Sequence, residues 1–275
     1  MAIIKNPKFI ILLYHKIGIC PKNAKFPGLY VTEENFESQV KYLKNHGYAF
    51  LTLSELKALH FYYYHDSNAN NDKYNVNVSE GDKIPNNSLL KLNLINEGGR
   101  YVAITFDDGS RSVYSNGLNI IKENGVKATV FMVSGLVGGV NDWDIKNGEN
   151  KDEMLTVNDL KKMADCGMEI GAHTKTHPHL SRISPDAAYN EIFESKNALE
   201  RLLDIKINFF AYPYGDYNKE VKTLAEKAGF WGACITKTGI VKKESDFFAL
   251  NRVAIRHNTN LFKFKRKIFK VKLFY

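Results

Sequence analysis

The chain has 275 residues, 44% of them apolar, with 15 Tyr and 17 Phe and a formal net charge of +8. That length suits one α/β barrel and that composition supplies a sizeable core, which argues against a disordered or fibrous chain. No stretch reaches the ~18 apolar residues of a membrane-spanning helix. The three cysteines, Cys20, Cys166 and Cys234, are isolated and form no CxxC, which argues against a disulfide framework or a thiolate zinc site.

Taken in chain order, the opening "MAIIKNPKFIILLYHKIG" reads as a buried first strand, "FIILLY" (9–14), rather than a leader peptide. Tyr and His end the apolar run, and no small-residue cleavage site follows. Phe36, Val40 and Leu43, spaced 4 and 3, predict a helix that Gly47 caps. Residues 65–88 hold seven asparagines and few apolar side chains, and read as a polar surface insertion within one domain spanning 1–275. From about 98 to 260 short apolar runs alternate with helical patterns: "VAITF" (102–106), "ATVFMV" (128–133), "MEIGA" (168–172), "INFFA" (207–211), "WGACI" (231–235) and "LNRVAI" (250–255). Ala188, Ile192, Leu199 and Leu202 mark one helix stripe, and Gly125, Gly167 and Gly229 fall where helices should stop. Strands apolar at nearly every position, alternating with helices, predict a parallel sheet covered on both faces, and seven or eight of them favour closure into a barrel.

The final stretch, 261–275, carries six Lys/Arg and no acid, so 8 − 6 leaves only +2 for the rest of the chain. Two readings stand: a last element with one core face and one lysine-rich wet face, or a segment that lies on an anionic surface of lipid headgroups or acidic wall polymer. No nucleic-acid reading element accompanies the basic run, so nucleic acid is not an expected partner.

In parallel α/β folds chemistry gathers at the carboxyl ends of the strands. Three predicted strands run straight into polar, turn-forming clusters: "VAITF" into Asp107-Asp108-Gly109, "MEIGA" into "HTKTH" (173–177), and "INFFA" into "YPYGD" (212–216). His173 and His177 are four apart, but β-branched Thr174 and Thr176 with Pro178 argue for a folded-back loop, not a helical zinc motif. Two imidazoles able to share one cation need an anionic third ligand, and a carboxylate is the usual choice. Neighbouring aspartates can face one site only where the strand breaks, as Gly109 allows. The second carboxylate can then serve as a base, since a bound cation lowers the pKa of water to about 7 and keeps a nearby carboxylate ionised.

These residues bring a resemblance into view. "LLYHKI" (12–17), "FESQVKYLKNHGY" (36–48), "AITFDDG" (103–109), "KATVFMV" (127–133), "MEIGAHTKTHPHL" (168–180), "EIFESKNALE" (191–200), "FFAYPYGDYN" (209–218) and "LNRVAI" together resemble polysaccharide deacetylases of the NodB-homology type, a carbohydrate esterase family. "YHKI" and "AYPYG" are similar to the branch acting on poly-β-1,6-N-acetylglucosamine. The resemblance implies a distorted (β/α) barrel of about seven parallel strands. It implies hydrolysis of N-acetyl groups on a β-linked N-acetylglucosamine polymer, and one divalent metal, zinc foremost, with cobalt, nickel or iron as alternatives. Carried over by position, Asp107 is the base, Asp108, His173 and His177 are the metal ligands, and the backbone N–H of Tyr214 helps hold the oxyanion. Peptidoglycan or chitooligosaccharides are alternative substrates, and a catalytically inactive carbohydrate-binding relative is the alternative of another class.

The chain also departs from the family pattern. An arginine that tethers the base aspartate is replaced by Ala211, and Arg252 or Arg256 is the candidate substitute. His15 and His257 are the candidates for the general acid, His179 reads as a bystander, and Trp143 in "NDWD" could stack on a sugar. The substrate class implies the cell envelope or the extracellular space.

Overall fold

The computed structural model describes residues 7–66 and 99–274. In chain order the strands are β1 (Lys8–Tyr14), β2 (Lys16–Ile17), β3 (Tyr30–Val31), β4 (Ala49–Leu51), β5 (Arg100–Phe106), β6 (Ala128–Met132), β7 (Glu169–Ala172), β8 (Phe209–Ala211), β9 (Gly232–Cys234) and β10 (Val253–Ala254). The α-helices are α1 (Glu33–Asn45), α2 (Leu53–Phe61), α3 (Leu118–Asn124), α4 (Asp142–Ile145), α5 (Val157–Asp165), α6 (Pro185–Leu203), α7 (Lys219–Lys227) and α8 (Leu261–Phe274). Local chemistry starts several of the helices. Thr52 and Thr156 form capping boxes with Glu55 and Asp159, and the Ser184 hydroxyl accepts from the Ala187 N–H ahead of Pro185.

The main sheet runs β10-β1-β5-β6-β7-β8-β9, with β4 added to the first half of β5, and every pairing is parallel. It curls into the distorted barrel expected. The seam is closed by residues 250–254: Leu250 bridges Cys234 at one end of the sheet, while Val253 and Ala254 pair with Leu12 and Leu13 at the other. The predicted strand "LNRVAI" is therefore split between two partners, and only its two residues on β1 have continuous strand geometry. The predicted asparagine-rich insertion, 65–88, falls almost wholly outside the described residues. The stripe on α6 is Ala188, Ile192, Ser195, Leu199 and Leu203. Leu202, expected on it, is exposed, because it lies one residue off the stripe.

Side chains alternate across each strand, and here they sort into two apolar clusters. Ile10, Leu12, Val102, Ile104, Val130, Ile170 and Phe210 face the helices. Phe9, Ile11, Tyr101, Ala103, Phe131, Phe209 and Ala211 fill the barrel, which α2 plugs at the end where the strands begin. The inward parity continues past the strand ends. The series Phe9-Ile11-Leu13 leads to His15, Tyr101-Ala103-Thr105 to Asp107, and Gly171 to His173. Gly171 is required here, since a Cβ on it would lie 2.5 Å from the Phe131 ring. Alternation alone thus delivers two histidines and an aspartate to the mouth of the barrel.

Candidate active site

The β1–β5 ladder extends one step beyond β5, where the Asp107 N–H donates to the Tyr14 carbonyl at 3.0 Å. Asp107 is therefore rigidly placed. Parity would send Asp108 to the opposite face, but its φ of 73° followed by 80° at Gly109 reverses the chain. A side chain on Gly109 would put Cβ 2.3 Å from the Met132 sulfur, so only glycine fits the close approach.

The loop "HTKTH" is not helical. Thr174 and His177 have φ of 63° and 66°, conformations that β-branched and bulky residues adopt only when held. The Thr174 hydroxyl donates to the His173 carbonyl and accepts the His177 N–H at 2.9 Å. Glu191, on α6, accepts the N–H groups of Lys175 and Thr176 at 2.9 and 2.8 Å and the Thr176 hydroxyl at 2.7 Å. The N–H groups of Ser134 and Gly135 donate to the carbonyls of Thr174 and Lys175. The strained backbone is thereby tied on both sides.

The result is a buried triangle. The Nε2 atoms of His173 and His177 lie 3.2 Å apart, and each lies 3.4 Å from Oδ1 of Asp108. Two imidazole lone pairs aimed at each other this closely need a proton or a cation between them. Four ligands on a tetrahedral zinc ion at ~2.05 Å stand about 3.3 Å apart, so these three atoms match one face of that tetrahedron. The outer nitrogens are also committed: Nδ1 of His173 donates to the Ala211 carbonyl at 2.7 Å, and Nδ1 of His177 meets the Tyr214 hydroxyl at 3.1 Å. Such partners fix the tautomer that leaves Nε2 free to ligate. Burial opposes charge on all three groups, yet the two imidazoles hold the Asp108 carboxyl well below its usual range. Burial likewise opposes a proton on His173, but its hydrogen bond to Asp108 and the charges of Asp107 and Asp108 outweigh it and raise the ring's affinity. His177, buried and next to His173, is lowered. The donor set fits a divalent cation.

Asp107 has a different partner. Arg252, fully buried, grips it bidentately with both N···O distances at 2.6 Å, and also donates to the Ile235 carbonyl and the Thr105 hydroxyl. Burial would raise the Asp107 pKa, but the guanidinium lowers it, so the carboxylate stays ionised. Of the two candidate arginines it is Arg252, on the barrel seam, that reaches Asp107, while Arg256 is exposed. Ala211 contributes its carbonyl instead of a side chain.

The polysaccharide deacetylase family profile matches residues 95–233. The chain belongs to the polysaccharide deacetylase family. It is 27% identical over 251 residues to the Bacillus subtilis protein YxkH, covering 91% of this chain and 72% of that one. It is 27% identical over 228 residues to the poly-beta-1,6-N-acetyl-D-glucosamine N-deacetylase of Staphylococcus aureus strain MRSA252, covering 79% of this chain and 65%, just under two thirds, of that relative. Among solved structures it resembles the Streptococcus pyogenes deacetylase PplD in complex with acetate, with a TM-score of 0.69, 25% identity, and coverage of 96% of this chain and 99% of that one.

In this deacetylase the other sequence-predicted residues divide. Tyr214 sits at φ 60°, followed by Gly215 at φ 71°, where an added Cβ would lie 2.2 Å from the Thr236 hydroxyl, and among the described residues the Tyr214 N–H makes no hydrogen bond. Its ring packs between His177 and His179, with centroids 4.7 and 3.9 Å away, and burial pushes its hydroxyl up to about 12. His179, taken as a bystander, thus buttresses Tyr214. His15 is half-buried at the mouth; burial lowers its pKa against the pull of Asp108 and Asp107. His257 is exposed, in the turn before α8. Trp143 belongs to the one-turn helix α4, and its ring stacks on His177 at 4.4 Å, so it packs rather than standing free.

Two buried groups were not singled out by the sequence. Lys16 pairs with Asp152 at 3.2 Å over the Tyr30 ring. Asp144 is buried, its Oδ2 has no hydrogen-bond partner among the described residues, and burial with the nearby Asp108 charge raises its carboxyl to about 7. Asp144 follows Trp143 in "NDWD", and that aromatic-acid pair was the available signal.

Proposed function

We propose that this chain removes N-acetyl groups from a β-linked N-acetylglucosamine polysaccharide, releasing acetate and leaving a free amine. The observation that carries the reading is the pair of unlike carboxylates at one mouth: Asp108 inside a tetrahedral donor triangle, Asp107 clamped by Arg252. Asp108, His173 and His177 would hold the divalent ion, and a nitrogen-nitrogen-oxygen set favours zinc, with cobalt, nickel and iron as competitors. Bound there, the ion supplies Lewis-acid polarisation of the amide carbonyl and acidifies the attacking water.

The chain's own groups do the rest. Asp107, kept ionised by Arg252, accepts the proton of the attacking water through the oxygen lone pairs that the guanidinium leaves free. The Tyr214 N–H donates to the oxygen that gains charge, a role worth about 3 kcal/mol where one such donor has been removed. The nitrogen must be protonated before the C–N bond breaks, and we assign that delivery to His15, whose titration feels both aspartates. Held neutral by burial, His15 must first take up the proton it hands on. His257 is assigned no role. Asp144 Oδ2 is free to take a sugar hydroxyl beside the scissile group.

The experiment is acetate release across β-1,6- and β-1,4-linked N-acetylglucosamine oligomers and peptidoglycan fragments, with and without a chelator. Chelator-sensitive release, highest on the β-1,6 series, is expected. The S. aureus relative is a deacetylase of the poly-beta-1,6-linked polymer, which supports this expectation. Preference for β-1,4 oligomers or peptidoglycan would move the substrate assignment. No release from any substrate by metal-loaded protein would favour an inactive binding relative.

A further inference from the structure

Helix α8 has two apolar faces, and the fold uses only one. Phe264, Ile268 and Val271, at spacing 4 and 3, are buried against the body of the protein. On the far side Phe262, Phe269 and Leu273, spaced 7 and 4, form a second stripe exposed at 66%, 66% and 63%, with Phe274 at 72% beyond it. A helix that only covered a core would carry polar side chains there. Lys263, Arg266 and Lys270 border the stripe on one flank and Lys265 and Lys272 on the other, as 100° per residue dictates. The helix contains no acid. Among the described residues the charges felt by its two half-buried lysines share their sign: burial and Arg256 lower Lys267, and burial with Arg100 and Lys8 lowers Lys272.

We propose that α8 docks this protein on an anionic lipid surface. The lysines meet the headgroups while the Phe/Leu stripe enters the headgroup–acyl boundary. An acidic polymer would engage the lysines but leave the stripe in water. A second copy of the same face would set six cations of one helix against six of the other. The orientation follows from the packing. The Tyr14 hydroxyl, at the mouth end of β1, donates to Gln39, which donates to the Thr259 carbonyl just before α8. Lys8, at the start of β1, reaches the Lys272 carbonyl near the end of α8. The helix therefore runs down the flank from mouth to base, and docking lays the barrel on its side with the mouth opening along the surface.

Co-sedimentation of the full chain with phosphatidylglycerol-rich and pure phosphatidylcholine vesicles tests this, alongside a Phe262→Ser/Phe269→Ser/Leu273→Ser variant whose fold is checked by circular dichroism. Binding to the anionic vesicles alone is expected, weakened by about 0.5 M NaCl and reduced about tenfold or more in the variant. Absence of binding, or equal binding by the variant, would overturn it. So would a dimer in lipid-free sedimentation velocity that the variant dissolves. None of these readouts depends on deacetylation.

Discussion

The mouth of the barrel and the outer face of α8 are both rich in charge and treat it in opposite ways. At the mouth three charged groups are buried and paired: Asp107 with Arg252, Asp108 with two imidazoles, and Lys16 with the half-buried Asp152. On α8 four of the six cations are exposed, and the two half-buried ones, Lys267 and Lys272, feel only other cations among the described residues. The difference is one of solvent. A buried charge without a partner costs several kcal/mol, so the interior admits charge only in pairs. Water screens the surface, so unmatched charge can persist there, and combined with exposed aromatic side chains it marks a surface awaiting a partner.

The largest effects should come from breaking the matched set. Asp107→Asn should lower kcat by about a thousandfold or more while zinc content, read by mass spectrometry, stays near one equivalent, whereas His173→Ala should lose both. Equal loss of metal in the two variants would erase the distinction between the carboxylates.

Next comes the clamp. Arg252→Met should destabilise the fold by about 3–5 kcal/mol, because it leaves Asp107 buried and unpaired. The sign of the pH dependence follows from the lowered Asp107 pKa. The pair's contribution is present above the unfolded carboxylate pKa and is lost as pH falls through the folded value. Denaturant titrations should therefore show the wild-type advantage over Arg252→Met shrinking in acid.

Asp144 tests the matching rule from the other side, since it is buried with Oδ2 unpaired. Its pKa is raised from 3.8 to about 7, so the native state holds a proton that the unfolded chain releases. Stability then falls as pH rises between those values and levels off above the upper one. Asp144→Asn should remove that fall in metal-free protein, so that the variant gains stability over the wild type as pH rises toward neutrality. A pH-independent difference between the two proteins would contradict the raised pKa. The smallest effect on chemistry belongs to the α8 stripe variant, which should release acetate from soluble oligomers at a rate within about twofold of wild type, as for surface changes remote from the site.

Much of the mouth was legible because strand parity is a sequence property. Apolar runs ending in Asp107-Asp108-Gly109 and "HTKTH" place the donors at strand ends whatever the details of packing. Arg252 could be narrowed only to one of two arginines, because its partner is 145 residues away and the choice depends on how the seam closes. β4 escaped notice because "AFL" is three residues long and borrows its order from β5. The stack of Trp143 on His177 joins two loops whose approach no periodicity encodes. The second face of α8 was half visible: the basic run stood out, while the separation of its apolar residues into buried and exposed stripes required knowing which side meets α1.

The central claim is that Asp108, His173 and His177 together hold one divalent ion. Isothermal titration of the metal-free chain with zinc, beside Asp108→Ala, tests it most directly. The account predicts one equivalent bound by the wild type with release of protons from the imidazole–carboxylate cluster, and little or none by the variant. A wild-type chain that takes up no zinc, or a variant that binds it equally well, would contradict it.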